Sequence, residues 1–168
     1  MSEFLLKGEF STCILVKNNQ ILIKYAQRGV GIGYWDFPGG RIETGESPKQ
    51  GGMRETKEET GYDVNIDPSV CGVINWYFDD EKILNRGYIF LARNFEGELK
   101  AKPEEGEVRW IPLEDLPDYK LWGDTLKWLP HILNRESFSA EVHYSNKSER
   151  VLKSFEMEKS DDKRKLKM

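Results

Sequence analysis

The sequence predicts an α+β fold, a sandwich in which helices cover a β-sheet, and three observations carry that expectation. An apolar hairpin opens the chain, a helix with legible start and stop signals follows it, and two more strand-like runs come after without regular strand–helix alternation.

Phe10–Lys17 and Gln20–Tyr25 are apolar, β-branched runs separated by Asn18-Asn19, the composition of two strands joined by a tight turn. Residues 28–35 form a glycine-rich segment, but no Gly-Lys-Ser/Thr follows, so it is not a phosphate-cradling P-loop. Its glycines suit either a flexible connector or a wall of a substrate pocket.

Ser47 is placed to cap a helix, Pro48 suits the first helical position, Gln50 stands where a capping-box partner belongs, and Gly61 supplies the stop. Gly51 and Gly52 lie inside that helix, each costing about 1 kcal/mol relative to alanine.

Val70–Phe78 and Gly87–Arg93 read as strands around the acidic connection Asp79-Asp80-Glu81. Lys102–Glu107 is an acidic loop ahead of strand-like Val108–Ile111, and Pro112–Pro117 is a turn. Asp124–Leu133 has helical periodicity with an expected kink at Pro130. Phe138–Tyr144 and Val151–Phe155 read as a closing pair of strands across Ser145–Lys147. Residues 1–157 are thus expected to form a single domain and 158–168 a charged, frayed tail.

Composition narrows the function classes. The 168 residues suit one domain, and no apolar run approaches the roughly 18 residues of a membrane span. The first ten residues carry Glu3, Lys7 and Glu9 rather than an export signal, so a cytoplasmic location is expected. Cys13 and Cys71 sit in apolar runs without metal spacing and read as buried thiols, while His131 and His143 have no ligand-spaced partner. A net charge of -4 argues against stable nucleic-acid binding. The expected partner is a small molecule, with no membrane and a monomeric state by default.

The chemistry is concentrated in carboxylates. Glu55, Glu58 and Glu59 fall at i, i+3 and i+4 and project from one helix face, where like charges repel unless a cation offsets them. Hard oxygen donors in that arrangement point to magnesium or manganese, against the plainer alternative of a solvated helix face.

Gly40, five residues, Glu46, seven residues, then Arg54-Glu55-x-x-Glu58-Glu59-x-Gly61 resembles the Nudix box, with every fixed position of that signature present. Thr56 and Tyr62 depart from it, standing where bulky aliphatic residues are usual. The resemblance implies a Nudix α/β/α sandwich with a mixed central sheet. It also implies a metal site of Glu55, Glu58, Glu59 and the Gly40 carbonyl, with Arg54 orienting the carboxylates and Glu46 bracing the loop or joining the metal shell. Glu58 or a glutamate of the acidic loop, Glu105 before Glu107, would serve as general base.

The flanks resemble one branch of that family, the MutT-like oxidised-purine nucleoside triphosphatases. The matching segments are Arg28-Gly29-x-Gly31-x-Gly33-x-Trp35, Leu121-Trp122-Gly123-Asp124, and the closing hairpin from Phe138 to Phe155. The resemblance implies base recognition by Trp122, stacking, and Asp124, hydrogen bonding, with Trp76 as the opposite wall. Core packing for Trp122 and helix capping for Asp124 are the structural alternatives. Asp36 stands where the branch usually places Asn, and Thr125 replaces a second acid. The implied reaction is magnesium-dependent hydrolysis of an oxidised purine nucleoside triphosphate such as 8-oxo-dGTP to the monophosphate and pyrophosphate, a nucleotide-pool sanitation. The alternatives are hydrolysis of ADP-ribose or a dinucleoside polyphosphate, or a non-catalytic nucleotide sensor.

Overall fold

The computed structural model describes residues 3–29, 31–100, 102, 104 and 106–160. Its spine is a long strand, β1 (Leu5–Lys17), which turns at Asn18-Asn19, both with positive φ, into β2 (Gln20–Tyr25). Val16 pairs with Ile21, so the expected hairpin is present. The strand starts five residues earlier than the apolar pattern suggests, because Leu5–Phe10 is held by parallel pairing to a distant strand rather than by burial.

That distant strand is β7 (Ile83–Ala92), which pairs antiparallel with β6 (Cys71–Phe78). β7 begins at Ile83, not Gly87, shortening the acidic connection to a tight turn. β10 (Phe138–Tyr144) lies parallel to β6 and antiparallel to β11 (Leu152–Lys159). Glu158 and Lys159 pair with Ser139 and Phe138, so the closing strand runs two residues into the segment expected to fray; residues 161–168 lie outside the described residues.

Short strands complete the mixed sheet. β3 (Trp35–Asp36) and β9 (Val108–Pro112) flank β2, and β4 (Gly39–Arg41) pairs with the first half of β1. A separate pair is formed by β5 (Asp63–Asn65) and β8 (Asn94–Glu96).

Strand alternation deals residues to two cores, one on each face. Ile14, Val16, Ile21, Ile23, Ile89 and Leu91 face the helix α2 (Thr125–Leu133), whose Trp128, Leu129 and Ile132 close that core. Cys13, Leu15, Leu22, Tyr88 and Phe90 point the other way, toward the side covered by the helix α1 (Pro48–Thr60). The result is the expected α/β/α sandwich. Burial pushes both Cys13 and Cys71 thiols up to about 12, as suits inert core groups. The helix α2 continues through Pro130 to Leu133.

The departures inside α1 have packing reasons. A side chain at Gly52 would meet Cys13 Sγ at 3.2 Å and Ser11 Cβ at 3.4 Å, so the glycine lets the helix approach β1 closely. Thr56 is fully buried and donates its hydroxyl to the Gly52 carbonyl (2.7 Å), satisfying the polar atom that an aliphatic residue would lack. Tyr62 is buried edge-on against Phe95 and accepts a hydrogen bond from Trp110 Nε1 (3.1 Å).

Candidate active site

The loop and helix from Gly40 to Gly61 are fixed at both ends by their own residues. Ser47 and Gln50 form a reciprocal capping box, and Gly61 closes the helix in the left-handed region at φ 85.

Arg54 is the hub of this segment. Its Nε and Nη2 form a fork on Glu46 (2.7 and 3.0 Å), Nη2 also donates to the Arg41 carbonyl (3.0 Å), and Nη1 donates to Glu55 (3.0 Å) and Glu58 (3.3 Å). One guanidinium therefore ties the loop to two helical carboxylates, a geometry that lysine's single ammonium does not reproduce. That fork, with the Glu43 N–H, holds the Glu46 carboxyl down to about 2, and Glu46 in turn raises the Arg54 guanidinium. Glu46 thus braces the loop through Arg54.

The three helical acids sit in different surroundings. Glu58 is 50% exposed, whereas Glu59 is 7% exposed and accepts from the Gly39 N–H (2.8 Å) and from the Lys24 ammonium. Glu55 lies against Gly40, where a Cβ would stand 2.3 Å from its carboxyl carbon, so only glycine admits that approach. Loss of water raises the Glu55 carboxyl, opposed by Arg54. Arg54 and Lys24 supply the positive charge that offsets these acids, and among the described residues no three acids, histidines or cysteines converge into a metal-holding cluster.

Beside the segment lies a cavity of about 200 Å³ that takes in Gly40 together with Asp36, Trp76, Trp122 and Asp124. The structure thus brings together the four residues singled out for base recognition and joins them to the carboxylate loop. Gly31 also lines the cavity, so the glycine-rich segment is a wall rather than only a connector.

Asp124 is the polar anchor of that cavity. It is 1% exposed, its Oδ2 accepts from the indoles of Trp76 and Trp128 (2.9 Å each), and its Oδ1 accepts from the Tyr144 hydroxyl. It precedes α2 but makes no side-chain capping bond, so the capping alternative does not describe its carboxylate. Burial, then the charge of Asp124, raises the Tyr144 hydroxyl and keeps it a donor.

Trp76 lies over Gly87, where a Cβ would come within 2.3 Å of the indole. Trp122 contacts Tyr34 at 5.3 Å between ring centroids, under the guanidinium of Arg150 at 4.6 Å. Asp36 is exposed as a residue and also lines the cavity. Loss of water on its cavity side pushes its carboxyl up to about 6, with the Phe37 N–H opposing and Asp124 reinforcing.

Glu105 lies outside the described residues. Glu107 pairs with Arg109, while its carbonyl receives the Tyr25 N–H (2.8 Å). Sequence reasoning missed Lys24, Tyr144 and Asn85. Asn85 left one signal, an amide within the otherwise apolar start of β7; the other two meet their partners only through tertiary pairing.

A family model described as "NUDIX domain" matches residues 8–132. An oxidized purine nucleoside triphosphate hydrolase from Danio rerio is 33% identical over 125 residues, 74% of this chain and 79% of that protein. Its counterpart by name in Mus musculus is 28% identical over 137 residues, 82% of this chain and 86% of that protein. A solved MutT protein from Bacillus halodurans superposes with a TM-score of 0.78 at 27% identity, covering 90% of this chain and 97% of that one. No helix among the described residues is long and apolar enough to cross a membrane.

Proposed function

The chain belongs to the NUDIX domain family and is a MutT-like Nudix hydrolase, and on that premise we propose that it hydrolyses oxidised purine nucleoside triphosphates, such as 8-oxo-dGTP, to the monophosphate and pyrophosphate with Mg2+. The observation that carries this reading is the single cavity shared by Gly40 of the carboxylate loop and the aromatic residues Trp76 and Trp122. A base stacked between indoles there has its phosphates directed toward the acids of α1.

Glu55, Glu58, Glu59 and the Gly40 carbonyl are oxygen donors of the kind a hard divalent cation takes, and they would hold one once Lys24 releases Glu59 and Arg54 yields Glu55 and Glu58, since as the side chains stand no three acids among the described residues converge. A cation held there would supply charge neutralisation for phosphate oxygens and a more acidic water. Arg54 positions Glu55 and Glu58, and Glu46 anchors Arg54. Glu58, half exposed beside the guanidinium, is the assigned proton acceptor for the attacking water. Trp76 and Trp122 sandwich the base, where stacking contributes about 1–3 kcal/mol.

The test is kcat/KM with Mg2+ for ordinary and oxidised purine triphosphates, ADP-ribose and dinucleoside polyphosphates. A preference for the oxidised purines is expected. Equal turnover of dGTP and 8-oxo-dGTP, or preference for ADP-ribose, overturns the reading.

A further inference from the structure

Among the described residues, the cavity is lined by one carboxamide, that of Asn85, and by the Thr12 and Thr125 hydroxyls and the Asp36 carboxyl. Asn85 is 8% exposed, lines the cavity, and its carboxamide hydrogen-bonds to no described residue. It stands on the β7 face shared with Ile83, Gly87 and Ile89, opposite Trp76 in the β6 ladder. Its amide atoms are not among the fully buried, unpartnered ones, so they face the open space of the cavity rather than the core.

Asp124 contributes little to reading a ligand by comparison. Two indole N–H groups occupy both lone pairs of its Oδ2, and the Tyr144 hydroxyl takes one of the two on Oδ1. A single acceptor site remains on a carboxylate already holding three side chains in place. Of the lining groups with unspent hydrogen-bonding capacity, Thr12, Asp36, Asn85 and Thr125, the Asn85 carboxamide is the one that sets a fixed donor beside an acceptor.

We infer that Asn85 is a specificity-determining residue whose carboxamide reads the polar edge of the purine, with Asp124 as a positioning residue behind it. The inference rests on the reading of this cavity as the base pocket. A carboxamide presents an acceptor and a donor side by side, so it complements an edge that presents a donor beside an acceptor. Guanine offers N7 and O6, two acceptors, and leaves the amide oxygen opposed to a lone pair. An 8-oxopurine carries hydrogen on N7, so the same edge becomes a donor beside the O6 acceptor and matches the amide at both atoms. Adenine, with N7 accepting and N6 donating, matches it with the amide turned over. Asn85 thus rejects unmodified guanine in favour of oxidised guanine while remaining permissive for adenine.

The test uses the full chain carrying Asn85→Leu, alike in branching though larger, with Asn85→Ala as a second variant should leucine disturb the fold. Affinities for 8-oxo-dGMP, dGMP and dAMP are measured by the quenching of indole fluorescence without metal, and KM and kcat for 8-oxo-dGTP and dGTP with Mg2+. Both variants are expected to lose about 10- to 100-fold in affinity for 8-oxo-dGMP, the range for losing one bidentate amide-to-base pair. dGMP should change far less, so the ratio collapses, with kcat and melting temperature preserved. An unchanged ratio, equal loss for all three nucleotides, or no binding of purine monophosphates by the parent protein overturns the inference. If the parent fails to hydrolyse 8-oxo-dGTP but the variants still collapse the monophosphate ratio, the proposed reaction falls and the role of Asn85 stands.

Discussion

Replacing Asp124 separates its structural duty from any direct part in the chemistry. In Asp124→Ala, three donors lose their acceptor: the indoles of Trp76 and Trp128 and the hydroxyl of Tyr144. Trp76 borders the cavity and water can replace its lost partner, but Trp128 and Tyr144 are buried. Two stranded donors at about 1–3 kcal/mol each give a destabilisation of about 2–6 kcal/mol. Asp124→Asn keeps one amide oxygen for the two indoles and turns its NH2 to the Tyr144 oxygen, so its cost should be about 1 kcal/mol. Urea unfolding read by indole fluorescence checks both values. Kinetically, freeing Trp76 should raise KM roughly 10-fold, within the range of one stacking wall, while kcat holds because the carboxylate loop is untouched. A stable Asp124→Ala protein with normal KM and abolished kcat refutes the argument.

Other substitutions probe the carboxylates and the pocket walls. Glu59→Gln can still accept from the Gly39 N–H, so the fold should survive while pyrophosphate release falls by at least ~100-fold; full activity sinks the metal-site assignment. Gly87→Ala drives a methyl to within 2.3 Å of the Trp76 ring, and should destabilise by about 1–3 kcal/mol and raise KM with kcat unchanged. Asp36 titrates near 6 when folded against an ordinary value near 3.8, so the native state holds its proton more tightly than the unfolded chain. Its contribution to stability is complete below that lower value and is lost as pH rises through about 6; the melting temperature of Asp36→Asn should therefore gain on the parent's between pH 4 and 7.

What was legible in the sequence is what depends on neighbours in the chain. Ser47, Gln50 and Gly61 each act within four residues of their partners, and the capping box and left-handed stop are where they were expected. The Arg54–Glu58 pair, i to i+4, follows the same logic. The pocket residues were found through their resemblance, but not their bonding, because Trp76 and Asp124 are 48 positions apart and meet only once β6 and α2 are in place. Lys24 was unreadable for a similar reason: its partner Glu59 reaches it across the helix–sheet interface. The early start of β1 was hidden because Leu5 and Leu6 are exposed, so parallel pairing rather than an apolar stripe defines that part of the strand.

The anchoring of Asp124 by residues from β6, α2 and β10 has a consequence for how activity appears during synthesis. A chain emerges amino end first, and the whole carboxylate segment is complete by Gly61, long before Asp124 and Tyr144. Until β10 lines up beside β6, Trp76 has no fixed pose and the base has no seat. A half-made polypeptide therefore holds the carboxylate residues of the loop and helix but no seat beside them. The pocket is complete only when the last third of the chain has joined the sheet.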